Sequence, residues 1–178
     1  MSKRNNFVFK ALHVIVWVIF VGLCIEAGGL LVNFIFSVFK PEFVGNLYQK
    51  LDLGKMYGQS QLAFFGMCGF LLVVAILKAM LFYILIVLLY KLDLSNPFSS
   101  CVANKIKNIA YYTFSIGIIS LIAMQVAKDL LDHGYETDKL NRFWEDGEAF
   151  ILMAAVVYVI SQIFNRGVEL QNENDLTV

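Results

Sequence analysis

Proline is almost missing from this chain: Pro41 and Pro97 are the two it has. Histidine is as scarce. His13 and His133 leave a bundle haem without a paired set of axial ligands. Charge is thin as well, at 16% of residues against about 25% in an ordinary soluble domain. The 14 basic and 14 acidic residues cancel, so the basic footprint needed for direct nucleic-acid binding is absent. Three cysteines, Cys24, Cys68 and Cys101, form neither a CxxC pair nor a Cys/His cluster. A zinc site or a disulfide scaffold is therefore not expected, and they read as small apolar residues in packed helices. No HExxH, GxSxG or Walker loop occurs. The expectation is a chain without enzyme activity, metal or cofactor.

Long apolar runs are what the chain has, with 59% hydrophobic residues. The longest, 62–90, contains one charge, Lys78, and exceeds the roughly 20 residues a helix needs to cross a bilayer. A second run, 11–39, also has one charge, Glu26. It follows Lys3, Arg4 and Lys10, yet it is far longer than a signal-peptide core, and Leu23 stands where a lipoprotein signal needs a small residue before Cys24. It reads as a retained transmembrane helix. Runs 109–126 and 148–164 supply two more. Tyr111 and Tyr112 mark an interface for the third, Phe143 and Trp144 one edge of the fourth, and Arg166 its other edge. The fold expected is all-α: a polytopic membrane protein with four transmembrane helices in an up-down-up-down bundle, forming one domain over 1–178.

The connections differ from one another. In 41–61, Phe43, Val44, Leu47, Tyr48 and Leu51 recur at helical spacing among polar residues. They read equally well as a short interfacial amphipathic helix or as a lid over the bundle mouth. Asn96-Pro97-Phe98-Ser99 reads as a helix start, with Asn96 as cap and Pro97 as first helical residue. Residues 127–147 hold Asp129, Asp132, Glu136, Asp138, Glu145 and Asp146 without calcium-loop spacing, and read as a solvated acidic surface. The polar tail from Gly167 is expected to extend the last helix briefly and fray.

Two intramembrane charges set the sharpest expectation. Gly22, Glu26, Gly29 and Asn33 share one helix face, where small residues admit a neighbouring helix and polar ones bond across it. At 1.5 Å per residue, Glu26 lies about 22 Å from the 11 end and Lys78 about 18 Å from the 90 end. In antiparallel helices these depths nearly coincide, so a Glu26–Lys78 ion pair is expected, the alternative being separate polar crevices. Basic residues are split almost evenly between the two sides, but Lys3, Arg4 and Lys10 precede the first helix, which favours cytoplasmic termini.

At Asn96-Pro97-Phe98-Ser99, and again over Gly167-Val168-Glu169-Leu170-Gln171-Asn172-Glu173-Asn174-Asp175-Leu176-Thr177-Val178, the chain resembles a bacterial family of small four-helix membrane proteins, domain of unknown function 2975. The family has no established activity. Its members are often encoded beside a small helix-turn-helix regulator of the phage-repressor type. The resemblance thus implies an inner-membrane accessory or sensory protein with a cytosolic DNA-binding partner. Asn96, Pro97, Phe98, Glu169, Leu170 and Asn174 are then the expected contacts. The rival expectation is a small transporter or channel subunit, working as a homo-oligomer, with a polar path at Glu26 and Lys78.

Overall fold

The computed structural model describes residues 3–40, 44, 47, 51–92 and 97–175, with side chains described from 8 to 173 among them. Helices dominate: α1 over Lys3–Phe39, α2 over Gly54–Gln59, α3 over Gln61–Lys91, α4 over Ser100–Asp132 and α5 over Gly147–Asp175. Four of them are long and apolar enough to cross a membrane. At 37 residues, α1 is about 55 Å long, well beyond a hydrocarbon core of about 30 Å. The α4 helix outruns its apolar stretch at both ends and α5 outruns its own at the C-terminal end, so these ends stand in the headgroup layers and the water beyond.

The long helices pack mainly on their sequence neighbours: α1 on α3, α3 on α4 and α4 on α5. Ring pairs set an antiparallel register for the first contact. His13 meets Tyr90 at 4.4 Å between centroids, Phe20 meets Tyr83 at 6.2 Å, and Phe34 meets Phe65 at 5.7 Å. Small residues set the α4–α5 contact. A Cβ on Gly117 would stand 2.6 Å from Ile151 Cγ1 and 3.0 Å from the Gly147 carbonyl oxygen. Ala110 and Ala154 are buried along the same pair of helices. Without a hydrophobic drive between helices in lipid, close backbone approach of this kind supplies the attraction.

At the end away from the termini, the connections fold into a cap. Val44, Leu47, Leu51, Leu53 and Met56 are buried in one cluster with Phe64, Met67 and Leu71 of α3 and Leu30 of α1. The backbone crosses itself there: Leu47 and Leu51 form an isolated antiparallel bridge, and Leu53 N–H donates to the Val44 carbonyl at 3.3 Å. Both expectations for this stretch find a counterpart: a short extra helix is present, and buried residues form a lid. The short helix is Gly54–Gln59, and Val44, Leu47 and Leu51 lie outside it; Phe43 and Tyr48 fall outside the described residues. The Leu47–Leu51 bridge and the Leu53–Val44 hydrogen bond turn these buried residues toward one another.

The other half of the cap comes from the acidic connection. Gly134, at φ 84°, turns the chain out of α4. The Thr137 hydroxyl then donates to the buried Ala127 carbonyl at 3.0 Å, and a 3-10 helix over Asp138–Phe143 carries Leu140 inward. Trp144, at 1% exposure, lies inside the cap core. It is thus a packing residue and not the lipid-interface marker expected. The carboxylates of Asp129, Asp132, Glu136, Asp138, Glu145 and Asp146 all face out.

Candidate functional site

The termini end carries the expected contact residues. Ser99 caps α4, its hydroxyl accepting from Val102 N–H at 3.3 Å, so the helix begins at Ser100. The cap is therefore three residues later than expected, and Pro97 precedes the helix instead of opening it. Asn96 lies outside the described residues. Phe98 turns back onto α5: its ring meets Phe164 at 5.5 Å between centroids and seats directly on Gly167. A Cβ at Gly167 would stand 2.4 Å from Phe98 Cδ1, so only glycine admits the ring in this position. The two stretches that carry the family resemblance are thus in contact.

Beyond that seat, α5 does not fray early. It continues to Asp175, about 16 Å past Phe164 at 1.5 Å per residue. The Arg166 guanidinium donates to Glu169 at 2.6 Å, an exposed pair one turn apart that supports the helix modestly. Leu170 is 48% exposed and Glu169 is also on the surface. Asn174 is helical, with its side chain outside the description. The result is a polar helical arm that continues α5 past the aromatic seat.

Glu26 and Lys78 meet the depth expectation but not the pairing. The α1–α3 register brings their levels together, yet the ion pairs among the described residues are Lys55–Glu136 and Arg166–Glu169. Geometry explains the miss. The α1 line facing α3 runs through His13, Val16, Phe20, Ala27, Leu30, Phe34 and Ser37, and Glu26 stands one residue, about 100°, off it. Lys78 follows Ile76, which lines a groove facing α1, by two residues and about 200° of rotation. Its ammonium lies 5.6 Å from the Phe150 ring centroid on α5, a cation–π contact in place of a carboxylate.

The small-residue face is also displaced from its expected role. Gly22 is exposed, with nothing within 4 Å of where a Cβ would stand, while Gly29 is half-buried. Asn33 lines a small cavity of about 10 Å³ with Ser37, Leu47, Leu51, Cys68 and Leu71, under the cap. Its carbonyl accepts from the Ser37 hydroxyl at 2.7 Å. The close-approach glycines are instead Gly117, Gly147 and Gly167. Gly117, four residues after Thr113, lies where a small-xxx-small reading of the third run could have found it, whereas Gly147 precedes the fourth run.

On the capped end, Lys55 Nζ donates to Glu136 Oε1 at 2.5 Å, tying the α2 half of the cap to the acidic half. That hydrogen bond, and then the Glu136 charge, hold the Lys55 ammonium above its ordinary 10.5. No cluster of three or more metal-ligating side chains occurs among the described residues.

A chain with four membrane-length helices and short capped connections is a multi-pass helical membrane protein. The family model described as Protein of unknown function (DUF2975) matches residues 40–178, and the chain belongs to that family. The matched region takes in the cap, α2–α5, the Phe98–Gly167 seat and the arm, and leaves out α1. No curated protein and no solved structure matches the chain.

Proposed function

We propose that this protein is an accessory or sensory protein of a bacterial inner membrane, non-enzymatic, with cytoplasmic termini. Its arm engages a cytosolic partner such as a small helix-turn-helix regulator. The observation that carries this reading is the Phe98–Gly167 seat. It couples the start of α4 to a projecting helix whose outer surface has an exposed leucine and charges for a partner to read. A shift of α5 against α4 within the bilayer would move that arm, which is what a tethered sensor requires. The α4–α5 and α1–α3 grooves are lined by apolar side chains, and the Lys78 ammonium lies by the Phe150 ring. The regulatory reading is therefore better supported than a polar conduit.

The test is co-purification of tagged protein in mild detergent from its own membranes, read by mass spectrometry for a small DNA-binding regulator. Wild type should retain the regulator, and a chain ending at Gly167 should insert normally yet lose it. Retention by the shortened chain would remove the arm from the contact. No retention by wild type would remove the partner.

A further inference from the structure

A groove runs along the α4–α5 contact on its membrane face. It is lined by Ala110, Tyr111, Phe114, Ile151, Ala155 and Tyr158, is open sideways, and holds about 240 Å³. Alanines on both helices make it a slot, because a larger side chain at any of them would fill it. Its walls suit a hydrocarbon chain.

The mouth is different in kind. Tyr111 and Tyr158 meet there at 6.5 Å between ring centroids, and Lys107 Nζ lies 5.7 Å from the Tyr111 ring centroid. Lys107 is half-buried and has no carboxylate within ion-pair distance among the described residues. It stands two residues before the apolar run of α4 begins, at the level where headgroups lie. Tyrosine suits the same level, with an apolar ring and a polar tip. A second groove, between α1 and α3, holds about 390 Å³ among Phe20, Cys24, Ala27, Ile76, Met80 and Tyr83. No cation is among its described lining residues, so it offers nothing for a headgroup.

We propose that the α4–α5 groove is a binding site for one anionic glycerophospholipid of the leaflet on the termini side. One acyl chain lies in the alanine slot, and the phosphate sits against Lys107 between the two tyrosines. Charge complementarity sets the choice of ligand: an apolar slot alone accepts any lipid, whereas a lysine lacking a carboxylate at its mouth favours a net negative headgroup. The occupied slot would also bridge the two helices whose relative position sets the arm.

The experiment is native mass spectrometry of the full-length protein in detergent with added phosphatidylglycerol or phosphatidylcholine. Wild type should retain one phosphatidylglycerol in preference to phosphatidylcholine. Lys107→Gln should cut that preference about fivefold, the weight of one lysine near an anionic surface. Lys105→Gln, a change on the same helix off the Tyr111 line, should leave it intact. Ala155→Leu, at an exposed position, should lower retention of both lipids while helical content stays as in wild type. Equal retention of the two lipids by wild type, a preference that survives Lys107→Gln, equal losses from the Lys105 and Lys107 changes, or unaltered binding by Ala155→Leu would each overturn the proposal.

Discussion

Gly167→Ala separates the stability of the fold from the anchoring of its arm. The added methyl would stand 2.4–2.9 Å from three carbons of the Phe98 ring. It cannot move, because it is fixed to the α5 backbone, whereas Phe98 lies before α4 and is already 39% exposed. The ring is therefore expected to swing out. Full burial of such a side chain is worth about 1.5–3 kcal/mol, so losing the remaining three-fifths costs roughly 1–2 kcal/mol. Alanine in place of glycine within a helix returns about 0.8–1 kcal/mol. The net loss is below about 1 kcal/mol, or a fall of at most about 4 °C in melting temperature. The alanine gain acts on the same stretch of α5, so amide exchange over 167–175 should rise by up to about fivefold. Hydrogen-exchange mass spectrometry in detergent measures this directly. Phe98→Ala should reproduce the rise, and Gly66→Ala, with open space around it, should not. Exchange over 167–175 unchanged in Gly167→Ala would show that the seat does not hold the arm.

Gly117→Ala should be costlier to the fold, because its methyl meets the backbone of Gly147 and Ile151 as well as a side chain. A loss of about 1–3 kcal/mol is expected from such overpacking, read by denaturant unfolding with the buried Trp144 as reporter; stability equal to wild type would refute the close α4–α5 contact. Exposed Cys101, in the first turn of α4, should react with a membrane-impermeant maleimide only after the membrane is opened, if the termini are cytoplasmic. Rapid labelling in intact spheroplasts would reverse the orientation.

The membrane-length helices were legible because lipid leaves one strong signal: a long run with almost no charge. Depth was legible too, since 1.5 Å per residue placed Glu26 and Lys78 at one level. Their azimuth was not. The α1 face was read from polar and small residues, Gly22, Glu26, Gly29 and Asn33, but the line that meets α3 is carried by larger apolar residues one position on. In a chain apolar on all sides, hydrophobicity does not say which face meets protein and which meets lipid. The connection containing Leu47 and Leu51 shows a different limit. Burial at helical spacing marked those positions as inward-facing, while a backbone crossing, which has no period, placed them there. The Phe98–Gly167 seat was invisible as geometry because it joins residues at opposite ends of two helices. Both partners nonetheless fell within the stretches that resembled the family.

The row-like packing of the helices bears on how the chain assembles. Each long helix finds its main partner in the neighbouring segment, so hairpins can form as synthesis proceeds, without waiting for distant segments. Nearby pairing is the fast regime of folding, and it limits the time during which the Gly117 face stands uncovered. The last hairpin, α4–α5, is closed by the Gly134 turn and by the Thr137 bond to Ala127 before the arm emerges. Only then can Phe98, made some 70 residues earlier, find Gly167. The arm is therefore held in place only on chains whose final hairpin has already formed, which makes its attachment a marker of completed assembly.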